Sequence, residues 1–194
     1  GIYSPDFSLI VVDNGSVDGT VEFVAQAYPD VQIIRAGKNL GYGRAANAGF
    51  NVVSTSYAML INPDLLTTAD AINELLRKSM EFPAAAICAP RVRNDQPMGD
   101  NPGPRKVDWV VGAAMLFNME LMKKVGFFDE NFFLFSEESD LCKRVRDAGM
   151  EIVRFDELYM EHLIGKSYRL TFELLYLKNW HVAWSFFYYT GKHG

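Results

Sequence analysis

Short apolar runs, each stopped by polar residues or glycine and followed by a segment of helical periodicity, fill the first half of the chain and leave few folds open to it. Residues 8–12 form the first run, closed by Asp13-Asn14-Gly15-Ser16. Residues 18–28 then carry Val21, Val24 and Ala25 at helical spacing, and Pro29-Asp30 ends that helix. The pattern repeats with a strand over 31–34, a glycine-rich loop over 37–43 and a helix over 44–53. A third strand over 57–61 is closed by Asn62-Pro63-Asp64, and Thr68 caps a helix that runs to about residue 80. A fourth strand covers 85–89. Strands alternating with helices predict an α/β fold, a single domain with an open, mostly parallel sheet and helices on both faces.

The second half is less regular. Residues 91–108 hold Arg91, Arg93, Asn94, Gly99 and Asn101 with few apolar neighbours, and read as a long functional loop. A strand-like run over 110–117 contains Gly112, and a helix over 120–125 and a Gly126-Phe127-Phe128-Asp129 turn follow. Residues 137–148 read as a helix and 151–155 as a strand. Residues 170–189 are rich in Trp, Phe, Tyr and Leu, a composition that suits either a helix covering the core or a face for a membrane surface or partner. Residues 1–168 are expected to form the body of the domain and 169–194 an aromatic helix belonging to it.

Composition excludes several classes. With 24 acidic against 19 basic residues the net charge is -5, so a broad nucleic-acid surface is not expected. Cys88 and Cys142 are too few for a disulfide framework or a Cys-rich zinc site. No apolar run has the length of a membrane span and no signal peptide opens the sequence, so a cytoplasmic location is expected.

Open α/β sheets bind ligands at the carboxyl ends of their strands. Three such ends here are polar: Asp13-Asn14, the glycine loop, and Asn62-Pro63-Asp64. Asp and Asn also favour turns and caps, but three strand ends on one edge favour a ligand. The loop Asn39-Leu40-Gly41-Tyr42-Gly43-Arg44-Ala45-Ala46-Asn47 contains a dinucleotide-like Gly-x-Gly-x-x-Ala. That pattern wants its first glycine directly after the strand, whereas residues 35–40 intervene. Glu137-Glu138-Ser139-Asp140 opens a helix behind aromatic residues. Acids suit a helix N-terminus, but a carboxyl kept partly dry also suits a general base. His162 opens another glycine-containing loop and offers a nitrogen ligand to pair with an Asp64 oxygen on a hard divalent ion.

In this order the pieces resemble glycosyltransferase family 2, the inverting nucleotide-sugar enzymes of the GT-A fold, and most of all its rhamnosyltransferase-like branch. The residues that carry the resemblance are the segment from Val11 to Thr20, Asn39 to Gly49, Asn62-Pro63-Asp64, Gly112-Ala113-Ala114, Phe127 to Glu130, Glu137 to Arg144 with Ala148-Gly149, and His162. The resemblance implies that Asp13 meets the nucleobase, that Asn14 is among the substrate-binding residues, that Asn39, Gly41, Arg44 and Asn47 shape the nucleotide pocket, and that Asn62 lies near the ribose. It implies that Asp64 and His162 hold Mg2+ or Mn2+, and that Gly112 faces donor sugar and acceptor. Glu138 stands where the family usually has the Asp of a Glu-Asp pair, the catalytic base, with Asp140 and Glu137 as the neighbouring candidates. The expected donor is a dTDP-, UDP- or GDP-linked sugar, and the expected acceptor a saccharide or lipid-linked glycan of a cell-surface polysaccharide. Peripheral contact with the inner face of the plasma membrane and a homodimer are further expectations. The family's first strand and helix, ahead of Val11, are expected to be missing. A non-catalytic nucleotide-sugar-binding or assembly module is the alternative reading, and an NAD(P)-dependent oxidoreductase a weaker one.

Overall fold

The computed structural model describes residues 6–92, 103–163 and 172–194. Most of the long loop, the residues after Leu163 and the first residues of the chain lie outside these. Strands β1 (Ile10–Asp13) and β2 (Gln32–Arg35) are parallel and flank helix α1 (Thr20–Ala27) in sequence. Helix α2 (Tyr42–Phe50) packs against β1, and Gly49 of α2 leaves the space that Val12 enters.

The main sheet runs in the order β3 (Tyr57–Ile61), β7 (Ala114–Asn118), β5 (Ala85–Val92), β8 (Glu151–His162), β4 (Leu65–Leu66), and β6 (Pro104–Lys106) also pairs with β8. This corrects the expectation of a mostly parallel sheet. Only β1 with β2 and β5 with β8 pair in parallel; β7 is antiparallel to both β3 and β5, and β4 and β6 are antiparallel to β8. The helical crossovers do set β3, β5 and β8 in one direction. Among the described residues no helix stands between β5 and β7, and β7 runs antiparallel between β3 and β5.

Period-two alternation splits the sheet's apolar side chains between two cores. Met115 and Phe117 of β7 face a cluster with Phe50 of α2, Met122 of α4 (Met119–Val125), and Leu141 and Val145 of α5 (Glu137–Asp147). Ala114 and Leu116 face the other side, with Ile72 and Leu75 of α3 (Ala69–Ser79). Helices therefore cover both faces, as the alternation required. Thr68 caps α3 by accepting from the Ala71 amide, and Asn118 caps α4 by accepting from the Glu120 and Leu121 amides.

Helix α6 (Phe172–His193) holds the segment between α4 and α5 in place. Ser185 donates to the Leu134 carbonyl, Tyr188 donates to Asp129, and His181 stacks on Phe133 at 4.3 Å. At its end Lys192 lies 2.7 Å from Asp129 and 2.6 Å from Asp140, while His193 Nε2 lies 2.8 Å from Asp140. Asp140 is fully buried and also accepts from Arg144 at 2.8 Å. Burial alone would raise its carboxyl; the hydrogen bonds from Lys192, Arg144 and His193 outweigh that and hold it below the usual carboxylate range.

Two predictions follow from this packing. Gly41 has φ +88, and a Cβ there would land on the Phe133 carbonyl. Gly41→Ala should lower stability by about 2 kcal/mol and Tm by roughly 4–8 °C. Gly37→Ala, with positive φ but nothing within 4 Å of its Cβ, should lose about half as much. Asp140→Asn should cost about 3 kcal/mol at neutral pH, because Arg144 and Lys192 lose the buried charge they share. The native Asp140 pKa lies below the unfolded one, so its contribution is complete above the ordinary Asp value and fades as pH falls through the native value. Thermal melts from pH 7 to pH 2 should therefore converge for the wild type and Asp140→Asn.

Candidate functional site

The head of α5 is unusual in its backbone. Phe135 and Ser136 both take left-handed conformations, at φ 70 and φ 64. Each costs a non-glycine residue roughly 1–2 kcal/mol, so the surrounding contacts must impose them. They turn the chain so that α5 begins inside the protein. Glu137 is 4% exposed, and its Oε2 has no hydrogen-bond partner among the described residues. Burial, then the neighbouring Glu138 carboxylate, pushes the Glu137 carboxyl up to about 8. Burial raises Glu138 as well.

The loop opposite is built by asparagines. Asn14, just past β1, accepts from the Leu40 amide at 2.8 Å and donates to Asn39 Oδ1 and the Gly41 carbonyl. Asn39 in turn accepts from the Gly41 amide. The Tyr42 amide, first in α2, donates to the Phe133 carbonyl at 2.9 Å. Asn47 pairs with both backbone groups of Phe128, and Arg44 donates to the Glu130 carbonyl at 2.8 Å. Asn14, Asn39, Arg44 and Asn47, expected at a nucleotide, are thus the fixtures that join β1 and α2 to the segment leading into α5. The glycine pattern serves the same joint, because the α2 N-terminus meets a protein carbonyl where a dinucleotide fold would present it to a diphosphate.

From this joint a line of contacts crosses the strand ends. Tyr42 Oη donates to the Gly112 carbonyl at 2.5 Å. A Cβ on Gly112 would sit 3.5 Å from Tyr42 Oη and 3.7 Å from Glu138 Cβ. Next along, the Asn62 amide donates to the Ala113 carbonyl. A turn closed by Leu65 N–H to the Asn62 carbonyl carries Asp64 round, and the Leu163 amide donates to the Asp64 carbonyl. With Leu65 opposite His162 in the β4–β8 pair, His162 Nε2 comes 3.0 Å from Asp64 Oδ1. Asp13 stands at the far end, accepting from the Ser16 amide, and that contact and the Ser16 side chain hold its carboxyl below the ordinary range.

Glu138, Gly112, Asn62, Asp64 and His162 therefore share one ledge at the strand ends. Asp140 does not face it: its carboxylate is enclosed by Arg144, Lys192 and His193. Two shallow surface clefts, one beside Lys106, Asp108 and Arg146 and one beside Ser54, Tyr57 and Lys123, include none of these residues. Asp64 and His162, in hydrogen-bond contact at 3.0 Å, bring together an oxygen and a nitrogen of the kinds that could serve a hard divalent ion. Among the described residues no third His, Cys, Asp or Glu joins them.

Sequence reasoning missed Tyr42, which reads as one residue of a glycine loop, and the Lys192-His193 end of α6, whose partner lies far off in the chain. Basic residues at a helix C-terminus were the only local signal there, and they are common.

Comparison with known proteins bears on the fold and the family. An N-acetylglucosaminyl-diphospho-decaprenol L-rhamnosyltransferase of Mycobacterium tuberculosis is 28% identical, over 73% of this chain and 62% of that protein. A low-salt glycan biosynthesis hexosyltransferase of Haloferax volcanii is 24% identical, over 74% of this chain and 54% of that protein. The chain thus spans between half and two thirds of these relatives' lengths. Among solved structures, a mannosyltransferase from Pyrobaculum calidifontis in complex with GDP-Man and Mn2+ superimposes with a TM-score of 0.64 at 17% identity, over 81% of this chain and 48% of that one. The fold is that of the GT-A glycosyltransferases. Residues 2–142 match the family described as glycosyl transferase family 2, and the chain belongs to that family.

Proposed function

We propose that the chain is the nucleotide-sugar-binding and catalytic domain of an inverting, divalent-cation-dependent glycosyltransferase. It moves rhamnose or another hexose from a dTDP-, UDP- or GDP-linked donor to a saccharide or lipid-linked glycan in cell-surface polysaccharide synthesis. The observation that carries this reading is the placement of a partly buried Glu138 beside Gly112, on the same ledge as the Asp64–His162 pair. The names of the Mycobacterium and Haloferax relatives support the sugar and the glycan acceptor, and the ligands of the Pyrobaculum structure support the donor class and the metal.

On this reading Glu138 is the general base. Its carboxylate takes the proton of an acceptor hydroxyl; that oxygen bonds to the anomeric carbon of the donor as the bond from that carbon to the diphosphate breaks, and the diphosphate leaves with the electron pair. One displacement on the face opposite the leaving group inverts the carbon. Asp64 and His162 would hold Mg2+ or Mn2+, which supplies positive charge to the departing diphosphate. Gly112, beside Tyr42 and Glu138, would face the donor sugar and the acceptor. Lifting the Glu138 carboxyl above the ordinary Glu value makes it a stronger base at neutral pH.

We propose a cytoplasmic domain that rests against the inner face of the plasma membrane through α6. Tyr176, Trp180, Trp184, Phe186 and Phe187 are exposed on α6, and after Glu173 the chain contains no acid. Such a helix suits the interface of an anionic bilayer. No helix among the described residues is long and apolar enough to cross one.

Calorimetric titration with dTDP-, UDP- and GDP-sugars should give binding of one of them that requires Mn2+, lost on EDTA and weakened at least tenfold by Asp64→Asn. Glu138→Gln should keep donor affinity and lower turnover by 10²-fold or more. Equal turnover in this variant would remove Glu138 from the role of base. Sedimentation with anionic phospholipid vesicles should carry the protein down, and Trp180→Ala with Trp184→Ala should cut the bound fraction several-fold. Self-association without vesicles would assign the aromatic face to a second copy instead.

A further inference from the structure

We propose that Glu137 is a positioning residue that holds a proton, so that the Glu137–Glu138 pair presents a single negative charge to the donor. The inference rests on the reading of Glu138 as base and goes beyond it, since the base itself needs only one carboxylate.

The geometry favours an uncharged Glu137 over a charged one. Its side chain is 4% exposed and its Oε2 finds no donor among the described residues. The nearest phenol is engaged, because Tyr42 Oη gives its proton to the Gly112 carbonyl. Of the basic side chains of α5 and α6 near this turn, Arg144, Lys192 and His193 are gathered on Asp140, and Lys178 lies over the Phe135 ring. An ionised Glu137 would bury an oxygen with no partner beside a second carboxylate. A protonated one leaves only a weak acceptor unsatisfied. The groups that bear electrostatically on this pair are Tyr42 from α2 and Cys142 from α5, both held neutral: burial, then Glu137 and Glu138, raises the Tyr42 phenol, and burial raises the Cys142 thiol to about 12. The Glu137 amide at the helix start works the other way, favouring the anion, and burial outweighs it. Glu138 is the more accessible of the two to solvent, and on the reading of Glu138 as base it is the one that carries the charge.

Inequality of this kind has a use. The donor diphosphate is an anion, and two carboxylates beside it would repel it and each other. One proton shared unequally leaves a strong base and removes the second charge. The single charge should persist until Glu137 ionises near pH 8.

Three measurements test this. In the wild type, donor KM should rise about tenfold between pH 7 and pH 9 as Glu137 ionises, with kcat changing less; in Glu137→Gln that rise should vanish. Thermal stability reads the same proton without any activity. The native Glu137 value, about 8, lies above its ordinary 4.5, so the unfolded state releases the proton first and stability falls as pH rises from near 4.5 to near 8. Relative to Glu137→Gln, wild-type Tm should therefore decline across that window, and parallel curves would overturn the proposal. Should Glu137→Gln fail to fold, infrared spectra of the wild type decide: a protonated-carboxyl band present at pH 7 and lost by pH 9 supports it, and its absence at pH 7 overturns it. If neither protein binds any nucleotide sugar at any pH, the transferase reading fails while the thermal and infrared results still judge Glu137.

Discussion

The site depends on how residues 127–136 are held. This segment joins α4 to α5 without regular structure, and left to itself it would set no direction for the helix that follows. It is gripped from both sides. Asn47 pairs with the backbone of Phe128, the Tyr42 amide donates to Phe133, and Arg44 reaches Glu130. From the other side α6 supplies Ser185 to Leu134, and Tyr188 and Lys192 to Asp129. These contacts offset the strain at Phe135 and Ser136, and that strain in turn aims Glu137 inward and Glu138 toward Gly112. Arg44 and Asn47, expected at a ligand, thus also pair with the backbone that leads into the carboxylates.

This explains which features were legible. Strand and helix positions followed from apolar periodicity, and most boundaries agree within a few residues. The carboxylate pair, the Asn62-Pro63-Asp64 turn and His162 could be singled out because their types are uncommon at strand and helix ends without a purpose. The backbone contacts of Asn14, Arg44 and Asn47 could not be read, because an amide or guanidinium that pairs with a peptide looks like any other in sequence. Asp140 was ambiguous for the same reason: nothing local says that Lys192 and His193 return from the end of the chain to neutralise it. Parallel or antiparallel pairing was illegible for β7, since a loop reveals neither where it returns nor between which strands.

The last strand shows why the sheet's irregularity matters to the site. The sequence places a strand over 151–155. The structure carries β8 on to His162. Pro90 of β5 lies opposite Phe155, but the next residue, Arg91, lies opposite Tyr159, so Asp156, Glu157 and Leu158 are extra. The Asp156 carboxylate turns inward there, paired with Arg154 and with Arg105 of β6 at 2.8 Å. Buried and paired to two guanidiniums, it is a fixed pin where an exposed acid would be a stop signal. An odd number of extra residues exchanges the faces of a strand. Before the bulge Val153 and Phe155 point to the α3 core; beyond it Met160 does. His162, two residues on, inherits the face of Met160, whereas an unbroken alternation from Phe155 would have given that face to Glu161. The imidazole meets Asp64 because of a bulge pinned by three charged residues.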